Sequence, residues 1–217
     1  MGVLVMIPTL REAEALLGPL RAREALEGRG LLGGHPLSLV GMGPVEAAVG
    51  AGGAFARFPE VSGGILLGLG GSLDLSEAPL GALVGAEWFA MQPPPLGFLE
   101  KAARLGLEGE LELRHPMPAG ELPEGLRSEV DLCCSGGFVT VSEPREEGGR
   151  EGLPMGALVE EMEGYGVARA AMAFGKGLVS LRAISNRAGD REIGGWDLKG
   201  AFEELRRVLR VLEAWEG

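Results

Sequence analysis

The sequence predicts a three-layer α/β/α fold with a mixed, largely parallel central sheet. Short apolar runs at residues 3–7, 64–67 and 178–184 are typical of strands that are buried on both faces. Segments with apolar residues at helical spacing alternate with these runs. Neither an internal repeat nor a linker interrupts the 217 residues, so residues 1–217 are expected to form a single domain.

Composition restricts the partners of the protein. The net charge is −11 and there is no basic run, so nucleic acid would be repelled and a small-molecule partner is expected. The apolar runs are too short for a membrane span, and the N-terminus lacks the basic region of a signal peptide. Cys133 and Cys134 are adjacent, which favours reduced thiols in a cytoplasmic protein over a strained disulfide.

The first strand, at residues 3–7, is followed by a predicted helical stretch over residues 11–28, which Gly18-Pro19 can kink or divide. The predicted apolar stripe of this stretch is Ala13, Leu16, Leu17 and Leu20. Glu12 lies just past the carboxyl end of the strand, the edge at which open α/β sheets bind ligands. An acid at this position can equally serve only to compensate the helix dipole.

Glycine-rich turns are predicted after the next two strands. A strand over residues 36–40 ends at residues 41–44, where a helix begins that continues to residue 56. Its Gly-x-Gly lacks the third glycine of a dinucleotide fingerprint, so no NAD site is predicted. The strand at residues 64–67 is closed by residues 68–72, whose free N–H groups would let a ligand approach the backbone.

The middle of the chain is less regular. The predicted elements are a strand at 82–89, a short helix at 97–105, a strand stub at 132–134, a strand at 138–141 entered by a glycine turn, and a surface loop at 143–152. Arg114 and His115 fall in a polar stretch without periodicity, where a lone histidine is usually solvated. The last predicted helix covers residues 198–214, with Asp197 as its N-cap.

Polar residues are concentrated between positions 159 and 197. Acids at positions 160, 161 and 163 precede a helical segment, and the strand at 178–184 ends at Ser185 and Asn186, the single asparagine of the chain. Acids at a helix start beside polar groups at a strand end are typical of α/β active sites. Both features also occur for structural reasons alone, as first-turn helix acids and as turn residues.

Several segments resemble, in order, the motifs of the purine nucleosidase and nucleoside phosphorylase superfamily. These segments are Glu12, 41–48, 68–71, 135–139, 161–164 (Glu-Met-Glu-Gly) and 182–185 (Arg-Ala-Ile-Ser). The chain looks most like methylthioadenosine nucleosidases and futalosine hydrolases. Methylthioadenosine nucleosidases usually carry Asp after Ile-Ser, where this chain has Asn186. The string 184–191, followed by Trp196-Asp197, is similar to futalosine hydrolases.

The resemblance implies a nucleoside phosphorylase-like fold and hydrolysis of an N-glycosidic bond, with an oxocarbenium-ion-like ribose and a departing purine anion. Glu12 would activate the water, and Asn186 would stabilise the leaving base through its N7 and O6 atoms. Glu163 would hold the ribose hydroxyls, Met162 would pack on the sugar and Phe138 would stack on the purine. The other implied substrate-binding residues are Val139, Ser185, Gly70 and Gly71. Neither a metal nor a cofactor is implied.

Asn186 favours a 6-oxopurine, because its amide offers both an acceptor and donors, whereas a carboxylate suits a 6-amino group. In agreement with this preference, the resemblance implies that the substrate is futalosine, which loses hypoxanthine in a route to menaquinone. No phosphate loop of the Gly-Asp-Pro type occurs at residues 7–9, which favours water over phosphate as the acceptor.

Three alternatives remain open at this point. The chain could be a methylthioadenosine- or inosine-type nucleosidase, a purine nucleoside phosphorylase, or a non-catalytic nucleoside-binding protein. A binding protein needs no water base, so Glu12 together with Glu163 and Asn186 favours an enzyme. Relatives are commonly dimers or larger, which implies a homo-oligomer. Arg114 or His115, from the same or a neighbouring subunit, are candidates to bind the benzoate of futalosine.

Overall fold

The computed structural model describes residues 2–86, 88–91, 112–114, 123, 126, 136–139, 158–190 and 192–216, with only the backbone at 88, 90, 91, 112–114 and 136–139. The α-helices in these ranges are α1 (Leu10–Leu17), α2 (Pro19–Leu26), α3 (Pro44–Arg57), α4 (Gly164–Ala173) and α5 (Leu198–Glu213). The strands are β1 (Leu4–Ile7), β2 (Gly30–Leu32), β3 (His35–Leu39), β4 (Gly63–Ser72), β5 (Leu83–Ala86), β6 (Trp88–Met91), β7 (Glu112–Arg114), β8 (Gly136–Val139), β9 (Val159–Glu160) and β10 (Gly177–Arg187).

The described strands form one mixed sheet in the order β2-β3-β1-β4-β9-β8-β6-β7, and β10 joins it by pairing with β4 and β5. Parallel pairs connect β1 with β3 and β4, β4 with β10, and β8 with β6 and β9. The remaining pairs are antiparallel. The last two residues of β4 pair with β9, which therefore lies at the carboxyl end of β4, beside the carboxyl end of β10.

Helices cover both faces of the sheet, so the predicted three-layer architecture is confirmed. Val3, Val5 and Ile7 point to one face, where they share a buried core with α1, α2 and α5. Leu4 and Met6 point to the other face, where α3 and α4 pack. This division follows from the alternation of side chains along a strand. Among the described helices, none combines the length and the apolar character that a membrane span requires.

The predicted helix over residues 11–28 is divided into α1 and α2. Gly18, at φ 83°, ends α1, and Pro19 begins α2. Ala13 and Leu16 are buried as predicted, but the assignment of Leu20 to the same stripe was wrong, since 72% of its surface is exposed. Helix α2 turns a different face toward the sheet, so the spacing of apolar residues in α1 does not continue into α2.

The glycines at 68–72 were wrongly predicted to form a turn. They lie inside β4, which pairs with β10 along its whole length. A Cβ on Gly68 would lie 2.2 Å from Nη1 of Arg182, and one on Gly70 would lie 2.6 Å from Cγ1 of Val159. These positions therefore need glycine because neighbouring groups approach the strand closely. Gly136 and Gly137 likewise lie in β8 and not in a turn.

Other boundaries differ from the predictions in smaller ways. The β2–β3 hairpin, with Gly33 and Gly34 at positive φ, was not predicted, nor was β7. The predicted strand at 82–89 is two strands, because β5 pairs with β10 and β6 pairs with β7 and β8. The helix at 44–56 and the last helix are confirmed, and Oδ1 of Asp197 caps the latter by accepting from Gly200 N at 2.9 Å. Outside the described residues lie His115, Cys133, Cys134 and the predicted elements at 97–105, 132–134 and 143–152.

Candidate active site

A cavity of about 220 Å³ lies at the sheet edge where the parallel strands β1, β4 and β10 have their carboxyl ends. This is the edge at which α/β sheets bind ligands. Seven residues that the sequence predicted for the site line the cavity: Glu12, Gly70, Gly71, Met162, Glu163, Ser185 and Asn186. The remaining lining residues are Thr9, Met42, Leu69, Glu160, Glu161 and Trp196.

Phe138 and Val139, the other two predicted site residues, lie on β8, of which the structure describes the backbone. Phe138 is paired in register with Glu160 of β9, a residue of the cavity wall. Arg114 lies on β7, where again the backbone is described, and His115 falls outside the described residues.

Glu12 belongs to the start of α1 and also lines the cavity. It forms a capping box with Thr9: Glu12 N donates to Thr9 Oγ1 at 3.2 Å, while Glu12 Oε2 accepts from Thr9 N at 3.1 Å and from Thr9 Oγ1 at 2.6 Å. The carboxylate is thereby fixed at the cavity wall by the start of α1. Within the described part of the chain, Oε1 forms no hydrogen bond, so one oxygen remains available to a ligand or a water molecule.

Glu161, Arg182 and Glu163 form a buried charge cluster behind the cavity. Arg182, with 1% of its side chain exposed, places Nη2 2.5 Å from Glu161 Oε2 and Nη1 3.3 Å from Glu163 Oε2. Its Nε donates to Ser180 Oγ at 2.9 Å. Glu161 also accepts from the N–H of Glu163 at 3.0 Å and from that of Gly164 at 2.7 Å, at the start of α4. Glu161 is thus both a helix-terminus acceptor and the nearest counterion of the arginine.

The carboxylate of Glu163 is held between two elements. Oε1 accepts from Gly43 N at 3.1 Å, and Oε2 faces Arg182. Burial raises the pKa of Glu163 to about 7; Arg182 and the Gly43 N–H oppose this shift, and the charges of Glu161 and Glu12 reinforce it. A buried acid with a strongly raised pKa on a cavity wall is typical of a functional site.

Close packing between α3 and α4 brings Gly43 to Glu163. A Cβ on Gly166 would lie 2.0 Å from the carbonyl oxygen of Pro44, so only a residue without a side chain allows this contact. The neighbouring Tyr165 is buried in the core on this face of the sheet. The helix that carries Glu163 is therefore positioned by its backbone contact with the first turn of α3.

Ser185 and Asn186 both line the cavity although they are neighbours on β10. In a regular strand they would point to opposite faces, but the register with β4 shifts between Ile184 and Asn186. This irregularity turns both side chains toward the cavity. The predicted end of the strand at residue 184 was too early, since β10 continues to Arg187.

The protein environment defines which way the amide of Asn186 points. Ser185 Oγ lies 2.8 Å from Oδ1, and Nδ2 donates to the carbonyl oxygen of Arg187 at 2.8 Å. The reverse orientation would place two carbonyl oxygens against each other, because the Arg187 carbonyl cannot donate. Nδ2 also lies 3.5 Å from Asp190 O. Oδ1 keeps a second lone pair that is not used by Ser185.

The other cavity residues supply apolar surface and close backbone approach. Met162 is 38% exposed and contributes thioether surface to the wall. A Cβ on Gly71 would lie 3.3 Å from Asn186 Nδ2, so glycine at this position leaves room for the amide. Trp196, which in the sequence contributed only to the resemblance to futalosine hydrolases, is half-buried at the cavity, and its Nε1 is buried without a hydrogen-bond partner among the described residues.

The contributors to the site that were not predicted from the sequence include Thr9, Gly43, Glu160 and Arg182. The spacing of Thr9 and Glu12 does fit a capping box, and an arginine inside an apolar strand indicates a buried counterion, so these two could have been found. Gly43 contributes only a backbone N–H, and Glu160 was noted only as one of the acids that precede α4, without a role of its own.

Comparison with known proteins decides the family. A futalosine hydrolase from Thermus thermophilus is 36% identical over 228 aligned positions, which cover 99% of this chain and 96% of the relative. The chain belongs to the futalosine hydrolase family. Another futalosine hydrolase, from Streptomyces coelicolor, is 33% identical over 190 positions, covering 85% of this chain and 71% of the relative. No family model matches the chain.

Solved structures show the same fold at lower sequence identity. A futalosine hydrolase mutant from Helicobacter pylori matches with a TM-score of 0.72 and 17% identity over 98% of both chains. A 5′-methylthioadenosine/S-adenosylhomocysteine nucleosidase from Neisseria meningitidis, in complex with methylthio-immucillin-A, matches with a TM-score of 0.69 and 21% identity over 99% of both chains. These structures confirm the predicted fold class, and the two relatives above 30% identity confirm the predicted futalosine hydrolase family.

Proposed function

We propose that this member of the futalosine hydrolase family hydrolyses the N-glycosidic bond of futalosine and releases hypoxanthine and dehypoxanthine futalosine, a step of menaquinone biosynthesis. The observation that carries the proposal is one cavity that combines the fixed carboxylates of Glu12 and Glu163 with the oriented amide of Asn186. Each of these groups suits one requirement of glycosidic hydrolysis: a water base, a sugar acceptor and a leaving-group partner.

Glu12 is the proposed water base. One carboxylate oxygen is held by Thr9, and the other is available to accept the proton of a water molecule that attacks C1′ of the ribose. The C1′–N9 bond breaks as the new C–O bond forms, and the electron pair of the broken bond leaves with the purine. Fixing the carboxylate by the capping box avoids reorganisation during the reaction.

Glu163 is the proposed acceptor for the ribose 2′- and 3′-hydroxyls, and Met162 would pack against the sugar. The Gly43 N–H and Arg182 hold the carboxylate oxygens in place while leaving lone pairs for the hydroxyls. The partial compensation by Arg182 favours the ionised form that this role requires. The buried location strengthens each hydrogen bond to the sugar.

Asn186 is the proposed partner of the departing purine. Its N–H group would donate to the departing 6-oxopurine and stabilise the anion that leaves with the electron pair, and its Oδ1 would accept from N7 once the base has taken a proton there from bulk water. Ser185 and the Arg187 carbonyl set the orientation of the amide before substrate arrives. Gly70 and Gly71 would allow the base to approach the strand backbone, with Phe138 stacked on the ring and Val139 at its edge.

We also propose that the protein is a cytoplasmic homo-oligomer that binds neither nucleic acid nor membranes. Met42, Val45 and Val49 form an exposed apolar row, 63–72% exposed, that begins at the cavity and continues along the first turns of α3. Apolar rows of this kind are typical of subunit interfaces. Sedimentation analysis tests this point: V45E/V49E is expected to shift the protein toward monomer, and a wild-type monomer at micromolar concentration would contradict it.

A purine-release assay tests the proposed activity. Purified protein is incubated with futalosine, inosine, methylthioadenosine or adenosine, with and without phosphate. We expect hypoxanthine release from futalosine without phosphate, and loss of this release in E12Q but not in E14Q, which alters an exposed acid on the same helix. Release that depends on phosphate would indicate a phosphorylase. A preference for methylthioadenosine would indicate a different nucleosidase, and no release from any substrate would indicate a binding protein.

A further inference from the structure

We infer that Glu160 is a positioning residue that holds the turn at residues 187–190 and thereby orients the amide of Asn186; its catalytic consequence rests on the function proposed above. Glu160 lies on β9, is 9% exposed and belongs to the cavity wall. Its Oε2 accepts a hydrogen bond from the N–H of Gly189 at 2.8 Å. A carboxylate that accepts from a backbone N–H forms a stronger bond than a neutral acceptor would.

The turn that Glu160 holds carries the partners of Asn186. The carbonyl oxygen of Arg187 accepts from Asn186 Nδ2 at 2.8 Å, and that of Asp190 lies at 3.5 Å. Within the turn, Asp190 N donates to Arg187 O at 3.1 Å, and Gly189 has a φ of 85°. Both carbonyl groups that face the amide are therefore placed by the conformation of one short turn.

Two neighbouring strands anchor this turn from one side. Ala188 N donates to the carbonyl oxygen of Ser72 at the end of β4, at 2.8 Å, and Gly189 N donates to Glu160 on β9. Ser72 pairs with Val159, so both anchors belong to the same pair of strands. The side chain of Glu160 is the anchor that mutation can remove while the backbone pairing stays in place.

Loss of the anchor has a chemical consequence. The Arg187 carbonyl is what prevents the amide of Asn186 from exchanging its oxygen and nitrogen, since Ser185 Oγ can either donate or accept. If the turn moves, both orientations of the Asn186 amide become populated. In the molecules with the reversed amide, the hydrogen-bond donor and acceptor of Asn186 would not match those of the leaving base. Glu160 would then act on the chemical step through Asn186, without contacting the reacting atoms.

The side-chain amide resonances test this inference without any substrate. Asn186 and Gln92 are the only primary amides of the chain, so the ¹H–¹⁵N spectrum contains two NH₂ pairs, which Q92E assigns. We expect E160A to shift the resonances of the Asn186 NH₂ pair and to speed their hydrogen exchange with solvent. E160Q, which keeps an acceptor for Gly189, should leave these resonances in place. E192A, which removes an exposed acid beyond the turn, should leave them in place as well. An Asn186 pair that is unchanged in E160A would overturn the inference.

Kinetics separate positioning from direct contact with the base. We expect E160A to lower kcat for hypoxanthine release by about tenfold or more, with KM changed less than threefold, and E160Q to restore most of the rate. Equal losses in E160Q and E160A would overturn the positioning role in favour of a charged contact with the substrate. If E160A does not fold, E160M, which keeps the volume without an acceptor, carries the same expectations. An inactive wild type would refute the proposed function but leave the resonance test intact.

Discussion

Arg182 and Glu161 form a fully buried ion pair, with Nη2 and Oε2 2.5 Å apart. The pair connects β10 to the start of α4, because Glu161 also accepts from the first backbone N–H groups of that helix. The same guanidinium lies farther from Glu163, at 3.3 Å. Arg182 therefore compensates the charge of Glu161 more than that of Glu163, and part of the charge of Glu163 remains available to a ligand.

Replacement of Arg182 by methionine is expected to destabilise the fold strongly. It would leave two buried carboxylates without their cation, and breaking a buried pair typically costs about 3–5 kcal/mol of the free energy of unfolding. Urea denaturation at pH 8 measures this loss. In the double variant R182M/E161Q one of the orphaned charges is removed, so a substantial part of the stability should return. A loss below about 1 kcal/mol in R182M would show that the cluster is not a structural element.

The raised pKa of Glu163 predicts a pH dependence of stability. Its pKa is about 7 in the folded protein, mainly because of burial, and near 4.5 when unfolded. Between these values the folded state binds more protons, so the contribution of Glu163 to stability is complete below pH about 4.5 and is lost as pH rises through about 7. We expect this group to contribute a slope of at most about −1.4 kcal/mol per pH unit in that window.

Comparison of E163Q with the wild type isolates the contribution of Glu163. Denaturation curves between pH 5 and 8 should show a flatter dependence in the variant, because glutamine does not titrate. Parallel curves would contradict the assignment of a raised pKa to this residue. For catalysis, the ionised form is the better acceptor of two ribose hydroxyls, so kcat/KM of the wild type should fall as pH drops below about 7.

E12Q tests the water base. Glutamine keeps the size of the side chain and can accept from Thr9, but it cannot take the proton from water. We expect kcat to fall at least about 100-fold with little loss of thermal stability. The matched variant E14Q should behave as the wild type, since Glu14 is exposed on the same helix. Near-wild-type turnover in E12Q would remove Glu12 from the proposed mechanism.

N186D tests how the protein reads the base. A carboxylate in this position would place an oxygen 2.8 Å from the carbonyl oxygen of Arg187, where the amide now donates. The variant must move the side chain or bind a proton, and we expect hypoxanthine release from futalosine to fall at least about 100-fold. N186A is expected to lose a comparable factor. Full activity of either variant would contradict the role of Asn186.

The sequence allowed the three layers, the main helices and most of the cavity wall to be predicted. Apolar runs and helical spacing report burial directly, and Glu12 and Asn186 each lie near the carboxyl end of a strand whose position was clear. Family resemblance supplied the proposed roles of Glu163 and Met162, which spacing alone does not assign.

The missed features depend on contacts between distant segments. The glycines of β4 looked like a turn because sequence cannot show that Arg182 and Val159 approach them. The irregularity on β10 that turns both Ser185 and Asn186 to the cavity has no local sequence signature. Glu160 was overlooked because its partner, Gly189, is distant in the sequence and contributes only a backbone N–H.

The proposed hydrolysis is tested by measuring hypoxanthine release from futalosine without phosphate, with purified wild type, E12Q and N186A assayed side by side. We expect the wild type to release hypoxanthine and dehypoxanthine futalosine in equal amounts, at least about 100 times faster than either variant. No release by the wild type, or release that requires phosphate, would contradict the proposal.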